Sequence, residues 1–250
     1  MYEPPAPTVP PASAVLVTGG SRGLGLAVVR ELLQNGVRVA TFARTMSEEL
    51  QQLQQEFGEW LFAACVDANH MHAVNRFMLD ASERLGSLDG LICNAAVGQD
   101  SLLCHTSTET IAALIGSNLT HPLCLIRSFA RKLLHARRPG RIVTITSIAA
   151  RRTYPGLAVY AATKAGMEAA TLVLAHEARG RILVNCVAPG FFESDMSAPL
   201  GSAQRASIAR RTVTGRLMKP QHVVPVIRML MLDAIDMNGQ VIVVDGGARA

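Results

Sequence analysis

The residues that could do chemistry together are Ser147, Tyr160 and Lys164, set in the stretch IVTITSIAARRTYPGLAVYAATK from Ile142 to Lys164. Tyr160 and Lys164 are four apart, so on a helix they share one face and can enter one cleft. An unperturbed phenol, with a pKa of about 10, is a poor acid or base near neutrality, but a neighbouring cation favours the phenolate and brings it closer to range. A serine hydroxyl beside the pair adds a neutral hydrogen bond to a substrate oxygen. Together the three can stabilise and protonate a developing alkoxide, the task that reduction of a carbonyl sets. The Tyr-x-x-x-Lys spacing alone fits a packed tyrosine beside a solvated lysine just as well.

The elements that must position them come next. Ile142–Thr146 is a β-branched apolar run that reads as a buried parallel strand delivering Ser147 at its carboxyl end, with the helix of Tyr160 and Lys164 following. Near the start of the chain, Ala14–Val17 is a short apolar strand, Thr18–Gly25 reads TGGSRGLG, and Leu26–Asn35 has helical periodicity with Gly36 as its stop. Strand, glycine turn and helix make a phosphate-binding unit, in which glycines allow close backbone approach and the helix start offers unpaired N–H groups to a pyrophosphate. Gly19, Ser21, Arg22, Gly23, Leu24 and Gly25 are therefore candidate cofactor contacts, although a glycine cluster by itself is also an ordinary tight turn.

The next strand, Val37–Phe42, ends at Ala43-Arg44, where a dinucleotide fold reads the adenosine ribose. No acid stands there to accept from a 2′-hydroxyl. Arg44, with Arg22, could instead hold the 2′-phosphate of NADPH/NADP+, unless both cations simply face water. Alternation continues with Leu50–Phe57 as helix, Leu61–Val66 as strand, Ala73–Leu85 as helix, Leu88–Cys93 as strand and Val241–Val244 as the last strand. The pattern is α/β, a doubly wound sheet. Asp67 either caps the helix after it or sits near an adenine amino group, and Asn94-Ala95-Ala96 lets backbone approach a ligand across the strand ends. A long helix over Thr108–Ala136, interrupted near His121-Pro122, carries Asn118 in an apolar segment, where it must bond locally or have a role.

Composition sets the bounds. With 250 residues, 49% of them hydrophobic, the chain can bury a substantial core as one large domain or two small ones. Residues 1–12 hold five of the twelve prolines and read as a disordered tail, leaving 13–250 as a single domain. No run approaches the ~18–20 apolar residues of a membrane span, and no basic-then-apolar leader opens the chain. Cys65, Cys93, Cys104, Cys124 and Cys186 lack C-x-x-C spacing and read as mostly buried, reduced thiols of a cytoplasmic protein. His70 and His72 have no ligand-spaced partners, so they read as a solvated helix start and no metal is expected.

The net charge of +5 is unevenly spread: residues 1–109 hold 12 acids and 6 Lys/Arg, net −6, and residues 110–250 hold 7 acids and 18 Lys/Arg, net +11. Arg127, Arg131, Lys132, Arg137, Arg138, Arg141, Arg151, Arg152 and Lys164 fall between Thr110 and Met167 without a single acid. Such asymmetry suggests an anionic ligand or partner, or a basic solvated face with none. Nucleic acid is a poor fit, since only 4% of residues are aromatic and no binding motif occurs.

Taken in order, TGGSRGLG, Asp67, Asn94, Asn118, Ser147, Tyr160 with Lys164, Asn185, Pro189-Gly190 and the terminal GQVIVVDGG resemble the short-chain dehydrogenase/reductase family over nearly the whole chain after the tail. The resemblance implies a seven-stranded parallel Rossmann sheet flanked by helices on both faces, and an NADP-dependent oxidoreductase. It implies that Tyr160 is the general acid, that Ser147 orients the carbonyl, that Lys164 holds the nicotinamide ribose and assists Tyr160, and that Asn118 supports a proton relay. It also sets Asn94, Ala95, Ala96, Pro189 and Gly190 against the cofactor and makes the segment from Phe191 through Gly215, with Glu193 and Asp195, a mobile substrate lid. Ala96 departs from the family's usual glycine. Arg151, Arg152 and Tyr154 fall in the loop lining the substrate mouth, where they either select an anionic substrate or are solvated.

Within the family the chain is most similar to the 3-oxoacyl-[acyl-carrier-protein] reductases, through VAPGFFESDM, YAATKAGM and GQVIVVDGG, phrases also shared with sugar, steroid and alcohol dehydrogenases. The expectation is reduction of a 3-oxoacyl thioester in fatty acid or polyketide-type biosynthesis. Its substrate would ride on an acidic acyl carrier protein that meets Arg138 and, in a stretch of different loop length, Arg179. The alternatives are a reductase or dehydrogenase of a free small ketone or secondary alcohol, and a non-catalytic nucleotide sensor, against which the intact Asn118, Ser147, Tyr160 and Lys164 argue. The resemblance also implies a homo-oligomer, tetramer or dimer. The apolar faces of Ile111–Leu134 and Met167–Leu174 fit that, or burial on the chain's own sheet.

Overall fold

The computed structural model describes residues 9–98, 100–192, 201–233 and 235–248. Strand β1 (Ala14–Thr18) runs through the glycine turn into α1 (Gly23–Gln34), and β2 (Arg38–Ala43), α2 (Glu48–Phe57), β3 (Leu61–Cys65), α3 (Met71–Leu85) and β4 (Gly90–Cys93) follow. Then come α4 (Thr108–Ile115), α5 (His121–His135), β5 (Gly140–Ile145), α6 (Ala158–Glu177), β6 (Ile182–Pro189), α7 (Ser202–Arg210), α8 (Val224–Leu232) and β7 (Val241–Val244). The strands form one parallel sheet in the order β3-β2-β1-β4-β5-β6-β7, the doubly wound arrangement expected. Strand order reverses between β1 and β4, so a crevice opens beyond their carboxyl ends.

Helices cover both faces, which is why β1, β4, β5 and β6 are buried along their whole length and read as unbroken apolar runs. Alternate residues of β1 feed two cores. Val15 and Val17 pack with Val28, Leu32 and Ile227, while Ala14 and Leu16 pack with Phe77, Phe129 and Ile142.

Several boundaries differ from the sequence reading for local reasons. Helix α2 starts at Glu48 because Ser47 caps it, accepting from the Leu50 N–H at 3.2 Å, with two glutamates in the first turn. The long helix divides ahead of the proline, at a wide π turn over Gly116–Thr120. Pro122 has no N–H to offer the Asn118 carbonyl four residues back, so the regular ladder could not have continued there. Helix α8 begins at Val224, after a short turn at Pro220–His222.

The expectation that all of residues 1–12 stand outside the fold is corrected for their last part. Val9 and Ala12 are buried, and the Ala12 N–H donates to Met231 O at 2.9 Å. Arg141, on β5 and only 1% exposed, donates to the carbonyls of Val9 at 2.7 Å, Pro10 at 3.0 Å, Leu230 at 2.9 Å and Asp233 at 2.8 Å. A buried guanidinium needs acceptors, and the end of the tail supplies two of them. Arg141 is therefore not part of a basic outer face. Residues 1–8 lie outside the described residues.

Among the described residues no helix is long and apolar enough to cross a membrane. Cys93 and Cys186 are buried, Cys124 is half-buried, and Cys65 and Cys104 are exposed, so fewer thiols are buried than expected. His70 and His72 are exposed at the start of α3.

Candidate active site

The turn from β1 to α1 is held tightly. Gly19 and Gly23 are left-handed, at φ 71° and 57°. A Cβ on Gly25 would lie 2.1 Å from the Gly19 carbonyl oxygen, so no side chain fits there. From across the switch point Asn94 donates through Nδ2 to the carbonyls of Thr18 at 3.0 Å and Gly19 at 3.3 Å. The N–H groups of Asn94 and Ala95 donate to the Thr18 hydroxyl at 3.0 and 2.9 Å. The Ser21 hydroxyl accepts from the Ser47 N–H at 3.0 Å, and the Ser47 hydroxyl donates to the Ser21 carbonyl, tying the turn to the loop after β2.

The start of α1 is the part left open. Among the described residues no side chain caps it, no acid lies in its first turn, and nothing stands within 4 Å of the place where a Gly23 side chain would be. An uncapped helix N-terminus with glycine backbone beside it fits a pyrophosphate. Leu24 is buried, so only its backbone could take part. Arg22 and Arg44 are exposed, Arg44 just past the end of β2. Asp67 accepts from the Asn69 N–H at 2.9 Å in the turn before α3. Ala96 is half-buried after β4, and Pro189 and Gly190 are buried at the end of β6. A Cβ on Gly190 would meet Asp245 Cα at 2.6 Å, so strand packing already demands a glycine there.

Helix α6 delivers Tyr160 and Lys164 beside the end of β5. Lys164, 4% exposed, donates from Nζ to the Ile145 carbonyl at 2.9 Å and lies 5.7 Å from the centroid of the Tyr160 ring. Burial lowers the Lys164 pKa to about 8. Burial raises that of the Tyr160 phenol, and a hydrogen bond from the Ser147 hydroxyl pulls it partway back. The cation was expected to favour the phenolate. Instead the ammonium is engaged by Ile145, and desolvation disfavours the phenolate. Ser147 itself sits at the head of the short turn Ile148–Ala150, accepting from the Ala149 N–H at 3.1 Å.

Asn118, 2% exposed, lies in the π turn and exchanges hydrogen bonds with Val97, accepting from its N–H at 2.9 Å and donating to its carbonyl at 2.8 Å. Its side chain thus bonds locally and shapes the loop after β4. Asn118, Ser117, His121 and Lys164 line one cavity of about 30 Å³, room for roughly two waters.

The arginines of the loop between Ser147 and Tyr160 have partners. Arg151 Nε lies 3.0 Å from Glu168 Oε2, and Arg152 Nη2 lies 2.8 Å from Asp245 Oδ2 and also donates to the Ala248 carbonyl through Nη1. Both arginines are thus ion-paired to the scaffold, Arg151 while still half-exposed, and Tyr154 is half-buried. Arg138 precedes β5 at the strand's amino end and donates to the Ser87 carbonyl at 3.4 Å, a full strand away from Ser147. Arg179 closes α6 in the left-handed region at φ 49°. Asn185 holds the β6–β7 connection, donating to Met237 O at 2.7 Å and accepting from the Gln240 N–H at 3.0 Å. Glu193 and Asp195 of the expected lid lie outside the described residues.

One residue at the site was missed. Glu168, 7% exposed, accepts from the Thr146 hydroxyl at 2.9 Å and pairs with Arg151. The signal was available: Glu168 is the first acid after the acid-free stretch and stands four residues beyond Lys164, on the same stripe of one helix.

The comparisons with known proteins agree with this geometry. The family profile described as short chain dehydrogenase matches residues 13–205. The 3-oxoacyl-[acyl-carrier-protein] reductase FabG of Chlamydia pneumoniae is 36% identical over 240 residues, covering 93% of this chain and 95% of that protein. FabG of Escherichia coli is 32% identical over 234 residues, covering 93% and 95%. Carbonyl reductase family member 4 of Xenopus laevis is 33% identical over 236 residues, covering 93% and 96%. With the doubly wound sheet, the glycine turn at the switch point and the Ser147, Tyr160 and Lys164 cluster in place, the chain belongs to the short-chain dehydrogenase family of oxidoreductases.

Proposed function

We propose that this oxidoreductase reduces 3-oxoacyl thioesters with NADPH, the acyl group being presented on a carrier protein. The observation that carries the reading is the buried Tyr160 phenol hydrogen-bonded to the Ser147 hydroxyl, with Lys164 Nζ 5.7 Å from its ring centroid. A neutral phenol is the acid form that protonation of a developing alkoxide needs.

The open start of α1 and the backbone of Gly19, Gly23, Leu24 and Gly25 hold the pyrophosphate. Arg44, just past the end of β2, takes the 2′-phosphate together with Arg22. The bound nicotinamide supplies the hydride. Ser147 donates to the carbonyl oxygen and holds it toward Tyr160, which gives up its phenolic proton as charge develops there. Lys164 keeps positive charge beside the phenol, and the cavity it shares with Asn118 returns a proton through water. The FabG relatives, at 30–36% identity, support the thioester.

A second reading, reduction of a free small ketone, is favoured by the place of Arg138. A carrier bound there would lie beyond the amino end of β5, about 20 Å of strand from Ser147 on the same subunit. The carbonyl reductase relative points the same way. The deciding experiment offers one 3-oxoacyl group on an acyl carrier protein and as a short free thioester, and follows NADPH oxidation. A large kcat/KM advantage for the carrier form that fades with salt supports docking to the basic face. Equal rates favour the free ketone, and NADPH binding without turnover of either would revive the nucleotide sensor.

A further inference from the structure

Helix α6 is fastened to the end of β5 by a row of polar contacts at successive turns. Lys164 Nζ donates to Ile145 O at 2.9 Å, the Thr146 hydroxyl donates to Glu168 Oε1 at 2.9 Å, and the Thr171 hydroxyl lies 3.2 Å from that of Thr144. Glu168 differs from the others in reaching both sides of Ser147. One carboxylate oxygen holds Thr146, the residue before it. The other holds the Arg151 guanidinium at 3.0 Å, four residues after it.

The short turn between those anchors, Ile148–Ala150, is closed by local bonds: the Ser147 hydroxyl accepts from the Ala149 N–H, the Ala150 N–H donates to Ser147 O at 3.0 Å, and the Arg151 and Arg152 N–H groups donate to Ile148 O at 3.0 and 2.9 Å. These bonds shape the turn, and Glu168 ties its two flanks to α6. Arg151 is half-exposed, and an exposed ion pair contributes little. Here, however, its partner is buried and also fixed by Thr146. The carboxylate is thus held in one orientation before the guanidinium arrives, so less side-chain freedom is lost in forming the pair.

We infer that Glu168 is a positioning residue for Ser147, holding the serine in register with Tyr160 by gripping the chain on both sides of it. The inference rests on the reductase reading of the same site. It assigns a task to an acid that does not itself face the substrate.

The test compares wild type with Glu168→Gln, Arg151→Met and Ser147→Ala, singly and with the first and third combined. Glutamine can still accept from Thr146 but turns a donor toward Arg151, so E168Q and R151M should resemble each other. Each should lower kcat for NADPH-dependent reduction by about 10- to 100-fold with KM for NADPH unchanged, the scale of an ångström-level misplacement. In the S147A background E168Q should cost nothing more, because the residue it positions is gone. Hydrogen exchange of the Ile148–Arg152 amides, measured without substrate, should quicken in E168Q and R151M. Wild-type kcat in E168Q, losses that multiply with S147A, or unchanged exchange would each overturn the inference. If wild type reduces no 3-oxoacyl thioester, the reductase reading falls, and the exchange arm alone decides whether the grip exists.

Discussion

Lys164 donates to the carbonyl of Ile145 at 2.9 Å, not to the tyrosine it follows on the helix. The bond ties α6 to the end of the strand that delivers Ser147. It also places a cation in a desolvated site whose charge the fold must tolerate.

Lys164 should accordingly make stability depend on pH. Its folded pKa is about 8 against an ordinary 10.5, so the unfolded chain binds the proton more tightly between those values. The charged form costs stability below pH 8, and the cost fades as pH rises toward 10.5, where both states are neutral. Cys93 and Cys186, raised to about 12 by burial and held down in part by Lys164, act in the opposite direction above the ordinary thiol range. Lys164→Met should therefore exceed wild type in urea stability at pH 7, by up to about 3 kcal/mol. That advantage should shrink between pH 8 and 10; one that stays constant would show that Lys164 is not desolvated.

Tyr160→Phe should bind NADPH as wild type does and lose reduction by roughly 10²- to 10⁴-fold, since only the acidic hydrogen is removed. Fluorescence titration of the cofactor alongside single-turnover oxidation separates the two. Equal losses in binding and rate would assign the phenol to cofactor binding.

Arg44→Asp should exchange a 2′-phosphate contact for a ribose acceptor. The ratio of kcat/KM for NADPH over NADH should fall by about 10- to 100-fold, the worth of a charge-assisted hydrogen bond. A ratio unmoved by R44D, alone and with Arg22→Ala, would remove both arginines from cofactor selection.

Arg141→Met should destabilise the fold by several kcal/mol, at roughly 1–3 for each buried carbonyl left without its donor. The same change should expose the chain near Val9 and Pro10 to limited proteolysis, because two of the lost bonds go to them. Wild-type stability with a protected tail would contradict the arrangement.

The order of elements, the glycine turn, the strand that delivers Ser147 and the Tyr160–Lys164 stripe could all be read along the chain. They depend on near-neighbour spacing, with period two in strands, 3.6 in helices and glycine where a turn forbids a side chain. Charge was harder to read, because ion pairs are made across the fold. The acid-free stretch from Thr110 to Met167 suggested one basic face, yet Arg141 is buried and solvated by backbone carbonyls of the tail and α8, while Arg151 pairs with Glu168 and Arg152 with Asp245. Lys164 is buried as well, which leaves Arg127, Arg131, Lys132 and Arg137, on α5 and the turn after it, as exposed cations, with Arg138 half-buried and Arg151 half-exposed in its ion pair. The sequence by itself determined which side chains could act and on which element each stands. Only the tertiary structure decided which of them are consumed in holding that arrangement, since their partners lie up to 132 residues away and meet only when the sheet is assembled.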